Sequence, residues 1–229
     1  MSDSTVRRDL NELEKKNLVR RTHGGVVWTG GDASKDVGGF RPYAFEQRLQ
    51  YQLDAKQRIA KAARQFVQPG ETILLDGGTT TFYLAQLLLG TPLQIVTNSL
   101  PIASLFANDE HVELILTGGV MYPRYGVLLG PTAENMLAGI HTKTLFMSVA
   151  GLHLGALYNQ NLLLVQSEKR MMEQAQKTVL LIDASKFGQQ ALVKLCDLSR
   201  IDAVVTDAAP PKAIADELVG AGCEIIVAE

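Results

Sequence analysis

The 229-residue chain has only two cysteines, Cys196 and Cys223, and no CxxC pair or Cys/His ligand spacing. A disulfide framework and a metal site are therefore not expected, and nothing implies a cofactor. No apolar core follows a charged start, and no apolar run approaches the ~18 residues of a membrane span. Such a chain is expected to be soluble, cytoplasmic and without membrane contact. Internal repeats and low-complexity tracts are absent as well. So is a strong charge of either sign, with 22 Lys and Arg against 24 Asp and Glu, net −2. Bulk charge thus advertises no polyanionic partner.

What is present is apolar mass, 46% of residues. That suffices for one sizeable α/β core plus a small satellite, and not for two large domains. Charge is unevenly placed. Residues 1–25 carry six Lys and Arg against four acids, which leaves 16 against 20 in the remainder. A basic end on an acidic body suits a nucleic-acid-binding head on a sensing body.

Residues 2–17 predict a short helix. Ser2 is placed to cap it, Val6, Leu10 and Leu13 share one face, and Asn17 can end it in the left-handed conformation. Leu18–Arg21 and Val26–Trp28 flank Thr22-His23-Gly24-Gly25, which predicts a β-hairpin. Residues 29–43, rich in Gly, Ser and Asp, form the natural linker. A helix is predicted over 44–68, ending before Pro69-Gly70. Strands are predicted at Thr72–Asp76, Leu93–Asn98, Val112–Thr117, Thr144–Val149, Val179–Asp183, Ala203–Thr206 and Glu224–Val227, with helices at 80–89, 100–108, 131–140, 165–176 and 211–221. Continuous apolar strands alternating with helices imply a doubly wound, mostly parallel α/β sheet.

The N-terminal run S-x-x-T-V-R-R-D-L-x-x-L-E-x-x-x-L-V-R-R-x-H-G-G-V spans Ser2 to Val26. Ser4, Thr5, Arg7 and Arg8 can face a major groove, with hydroxyls and guanidinium groups for phosphates and base edges. Arg20, Arg21 and His23 on the hairpin can reach backbone phosphate or the minor groove. The bland alternative is a solvated basic helix. The run closely resembles the recognition helix and wing of the DeoR family of bacterial regulators. That resemblance implies roughly two further helices ahead of the recognition helix, whereas this sequence starts at Met1. On this reading the winged-helix segment, residues 1–28, is N-terminally truncated. Either the natural start lies upstream, or the chain has weak or no operator binding of its own.

Parallel sheets bind ligands beyond the carboxyl ends of their strands, so the polar turns there are the candidate site. After the first strand, Asp76, Gly77, Gly78, Thr79 and Thr80 offer close backbone approach, hydroxyls and free helix N–H groups, an anion site suited to phosphate. An ordinary strand–helix turn capped by Asp76 or Thr79 is the competing reading. The second strand closes on Thr97, Asn98 and Ser99, and the third on Gly118 and Gly119. Lys169 and Lys186 are candidate cations, although a solvated helix face accounts for Lys169 equally well. His153 is read as structural.

The series D-x-G-T-T, T-N-S, G-G, K and D-x-S-K-F-G looks like the sensor domain of the same family over residues 44–229. The fold implied is similar to ribose-5-phosphate isomerase, and the ligand implied is a phosphorylated sugar. The function implied is a DNA-binding repressor of sugar-metabolism genes and a homo-oligomer, with double-stranded operator DNA and the sugar phosphate as partners. Two alternatives stay open: a headless sensor subunit that modulates full-length relatives, and an isomerase or deaminase on the same fold. The second is disfavoured because Asp76, Glu168 and Asp183 are the only pocket carboxylates the resemblance supplies.

Overall fold

The computed structural model describes residue 12, residues 19–22 and 25–28, and residues 45–229. The chain divides into two compact units, Met1–Pro42 and Tyr43–Glu229. In the first, β1 (Val19–Thr22) pairs antiparallel with β2 (Gly25–Trp28), with Val19 opposite Trp28 and Thr22 opposite Gly25. The hairpin expected from the glycine turn is formed, and Thr22 and Gly25 extend its ladder by one pair. Glu12 is helical. The rest of the helix predicted over 2–17, the linker 29–43, and Ser4, Thr5, Arg7, Arg8 and His23 lie outside the described residues.

The second unit begins with two helices, α1 (Phe45–Gln50) and α2 (Leu53–Ala63), followed by a 3₁₀ turn at Arg64–Phe66. The single helix expected over 44–68 is therefore divided. The break falls at Gln52, which adopts a left-handed φ of 53°. Lys56 then reaches back to donate its ammonium protons to the carbonyls of Arg48 and Tyr51. These are carbonyls that the end of α1 leaves without helical partners.

Strands β3 (Thr72–Leu75), β4 (Leu93–Thr97) and β5 (Val112–Leu116) follow, with α3 (Thr79–Gln86) and α4 (Leu100–Leu105) between them. A short antiparallel hairpin, β6 (Val120–Tyr122) and β7 (Val127–Leu129), precedes α5 (Pro131–Leu137). The chain continues through β8 (Thr142–Met147), β9 (Gly151–His153), β10 (Ala156–Asn159), α6 (Leu162–Gln174), β11 (Ala175–Leu181), β12 (Val193–Asp197), β13 (Ala203–Thr206), α7 (Lys212–Gly220) and β14 (Glu224–Val227). Seven strands form one parallel sheet in the order β14-β13-β11-β8-β3-β4-β5. This is the doubly wound α/β fold that the alternation predicts.

Adjacent residues along each strand feed opposite cores, because side chains alternate across a sheet. Ile73, Leu75, Ile95, Phe146, Val179 and Val205 pack with Ile59 of α2, Leu84 of α3 and Ile102 of α4. Leu74, Val96, Leu145, Met147, Leu180 and Val204 pack with Leu137 of α5, Met171 of α6 and Leu218 of α7. Burying each such side chain contributes roughly 1.5–3 kcal/mol. The runs read as near-continuous apolar stretches because both of their faces are covered.

Strands β9, β10 and β12 form a separate antiparallel sheet in the order β12-β10-β9. Sequence patterning did not predict it: its strands are short, and the β10–β12 pairing bridges distant residues through a register shift at Leu157/Tyr158. Its hairpin turns on Leu154 and Gly155, with φ of 45° and 67°. Two consecutive positive φ values are what a type I′ turn needs, and a leucine there is strained where asparagine or glycine is not. Leu154 is also 76% exposed, so its side chain returns little packing energy. Leu154→Asn is accordingly expected to stabilise the chain by about 1 kcal/mol, read as a higher urea midpoint at unchanged m.

Candidate functional site

Strand order reverses at β3. From it the chain proceeds through β4 and β5 to one edge, and then resumes at β8 on the other side. At such a switch point the connections diverge and leave a crevice beyond the strand ends. Asp76 is buried there, its N–H donating to Phe146 O at 3.0 Å. Gly77 passes so close to β7 that a Cβ would lie 2.1 Å from Val127 Cγ1. Gly78 precedes α3, and its N–H lies 2.9 Å from both Asp76 O and Thr81 Oγ1. The Thr81 hydroxyl closes the turn, within 2.7 Å of Asp76 O. In this turn, Thr80 Oγ1 is buried and, among the described residues, has no hydrogen-bond partner.

The other expected strand ends divide by role. Thr97 donates its hydroxyl to Leu75 O at 2.7 Å, and Ser99 caps α4 by accepting from Ile102 N at 3.3 Å. Both hydroxyls therefore hold backbone. Asn98 is fully buried and close enough to Asp76 to favour its charged form, yet neither Nδ2 nor Oδ1 completes a hydrogen bond. Gly118 and Gly119 have φ of 69° and 113°, and a Cβ on Gly119 would lie 2.7 Å from Leu129 O. Their necessity is conformational.

Charged groups converge on the crevice from elements far apart in sequence. Lys186 ends the 3₁₀ turn Ala184–Lys186 after β11, and its Nζ donates to Ser148 Oγ at 3.2 Å and lies 3.7 Å from Asp183 Oδ2. Burial draws the Lys186 ammonium pKa down, Asp183 opposes this, and Arg48 adds to it. Lys56 is drawn down to about 8, first by burial and then by Lys186. Arg48 lies over the Tyr125 ring, its Cζ 4.9 Å from the centroid. Glu168 is buried and accepts from Asn159 Nδ2 at 2.5 Å, while among the described residues Oε2 has no hydrogen-bond partner. Burial and then the Asp76 charge hold Glu168 well above the usual carboxylate range. Burial likewise pushes Asp76 up to about 6, against the Gly77 N–H, the Asn98 amide and Arg48.

The structure thus brings together Asp76, Gly77, Gly78, Thr79, Thr80, Asn98 and Lys186. It does not bring in Lys169, which is exposed on α6 and acts electrostatically on Cys196. Sequence reasoning missed Arg48, Lys56, Ser148 and Asn159, and counted Glu168 only as a pocket carboxylate implied by the resemblance, not as an effector contact. For Glu168 a signal existed. Leu164, Val165, Met171 and Met172 define the buried face of α6, and that phase turns Glu168 inward and Lys169 out. For Arg48 no local signal existed, because only tertiary packing carries α1 to the crevice. The side chains of Arg20 and Arg21, on β1, lie outside the described residues.

The Asp76 shift has a stability consequence. Between the ordinary value of 3.8 and about 6, the folded chain holds a proton that the unfolded chain has released. This carboxyl therefore supports the fold at low pH and loses that support as pH rises through the window. Asp76→Asn is expected to flatten this fall and to gain stability over the parent at about pH 7. Paired urea titrations at about pH 4 and pH 7 check it.

Comparison with known proteins gives two family matches. The DeoR C-terminal sensor domain matches residues 51–208, and the DeoR-like helix-turn-helix domain matches residues 1–29. The chain is 35% identical to the L-fucose operon activator of Haemophilus influenzae, over 92% of this chain and 82% of that protein. It is 34% identical to the transcriptional regulator UlaR of Shigella dysenteriae, over 90% and 79%. Among solved structures it is similar to ribose 5-phosphate isomerase A of Methanocaldococcus jannaschii, at TM-score 0.43 and 19% identity over 59% and 54%. These relatives are regulators, and the fold by itself assigns no reaction. The chain belongs to the DeoR family of DNA-binding transcriptional regulators.

Proposed function

We propose that the chain represses sugar-metabolism genes and that a phosphorylated sugar, bound in the crevice between β3 and β8, controls it. The observation that carries this reading is the pairing of the Gly77–Thr81 turn with the cations Lys186 and Arg48. Buried donors and cations around a rigid glycine–threonine turn suit a phosphate. Glu168, Asn159 and Asp76 suit sugar hydroxyls, since a protonated carboxyl donates and an ionised one accepts. Thr97, Ser99, Gly118 and Gly119 shape this pocket through the backbone. The relatives' names support the sugar assignment: one is an L-fucose operon activator.

In this reading Ser4, Thr5, Arg7, Arg8, Arg20, Arg21 and His23 contact operator DNA, and a homo-oligomer presents paired heads to a repeated or palindromic site. The effector acts by binding one arrangement of the chain more tightly than the other. Operator titrations at fixed salt, with and without a panel of pentose and hexose phosphates, test the reading. One sugar phosphate is expected to weaken operator binding at least about tenfold, or ~1.4 kcal/mol, while the free sugar has no effect. Lys186→Gln is expected to abolish that response. A phosphate that strengthens binding overturns relief of repression as the effector's role, and silence across the panel refutes the effector class.

A further inference from the structure

Helix α1 is only six residues long and is the first helix after residues 29–43, the stretch leading from the hairpin β1–β2. So short a helix cannot sustain itself in water. Three contacts hold it. Phe45 meets Phe82 of α3 edge-on, with centroids 5.6 Å apart. Tyr83 of α3 donates its hydroxyl to Leu49 O at 3.2 Å. Lys56 of α2 occupies the carbonyls of Arg48 and Tyr51. Through Phe82 and Tyr83, α1 rests on the very helix that starts at the Gly78–Thr81 turn.

The fourth tether is incomplete. The Arg48 guanidinium stacks on Tyr125 and acts electrostatically on Asp76, Lys56 and Lys186, so it belongs to the crevice. Yet its Nε and Nη2 are buried and, among the described residues, have no hydrogen-bond partner. Buried donors left unpaired are costly, and a cationic pair more so. Nε and one Nη present the two parallel N–H groups that grip a phosphate or carboxylate in bidentate fashion. Resting on the sugar-phosphate site proposed above, we infer that Arg48 contacts the anionic group of the bound effector and that this contact fixes α1, so that occupancy is passed along the chain to the DNA-binding segment through this helix.

The device satisfies the requirement for coupling, since the effector makes a contact with α1 that the empty protein lacks. It also explains why a positively charged side chain comes from the start of the domain rather than from a strand end.

Hydrogen exchange on the full chain tests the inference, with a set of pentose and hexose monophosphates as probes and inorganic phosphate as the anion-only control. The sole tryptophan, Trp28, lies in the DNA-binding segment and supplies an independent fluorescence readout. With a binding probe, amides at 77–81 and at 45–50 are both expected to slow by about tenfold or more, and Trp28 emission to change. In Arg48→Gln at saturating probe, slowing at 77–81 persists, while slowing at 45–50 and the Trp28 change are lost. Arg48→Lys, which keeps the charge without the fork, recovers part of both and shows that α1 still folds. If 77–81 slows while 45–50 does not, or if Arg48→Gln responds like the parent, this inference is overturned and the site stands. If no probe slows 77–81, the site reading falls and the inference with it.

Discussion

Ionisable side chains buried at the reversal of strand order are the constraint around which the rest of this protein is arranged. A parallel sheet covered on both faces has no wet surface along its strands, so polar chemistry is confined to the strand ends. At the β3/β8 reversal, Asp76 and Asp183 are buried within reach of Arg48, Lys186 and Lys56, and Glu168 is buried within reach of Asp76. Burial of charge is expensive unless each group is paired. Here the pairing is partial: among the described residues, Glu168 Oε2 and two Arg48 nitrogens have no hydrogen-bond partner, and neither has the neutral Thr80 hydroxyl.

The parts that look peripheral serve that crevice. The β6–β7 hairpin supplies Val127, against which Gly77 must have no side chain, and Tyr125, on which Arg48 stacks. Tyr122 stacks on Tyr125 with centroids 5.7 Å apart and accepts from Asn161 Nδ2 at 3.1 Å, which ties the hairpin to the cap of α6. The small antiparallel sheet ends β10 at Asn159, whose amide steadies Glu168 and also accepts from Ala150 N. These contacts join the hairpin, the cap of α6 and the small sheet to the residues around Asp76 and Glu168.

Local chemistry was a good guide where it reported burial or turn type. The strand–helix alternation, the seven parallel strands and the glycine–threonine turn after β3 were all legible because each rests on a short-range pattern. The same reading went astray where the controlling interaction was distant. Thr97 and Ser99 have the composition of a ligand-binding turn, but their hydroxyls are spent on Leu75 O and Ile102 N. The helix over 44–68 looked continuous until Lys56, reaching back across a left-handed Gln52, made two helices of it.

The sequence by itself determined the fold class, the family and the turn chemistry after β3. Apolar periodicity dictates what must be buried, and the Asp76–Thr80 run carries its own turn chemistry. Only the tertiary structure decided which charges meet. Arg48, Lys56, Asn159 and Glu168 come from three helices and an antiparallel strand with no common local pattern, and their convergence follows from how those elements pack over the strand ends. The phosphate-suited turn is therefore readable residue by residue, whereas the electrostatic setting that would let it respond is a property of the packed sheet alone.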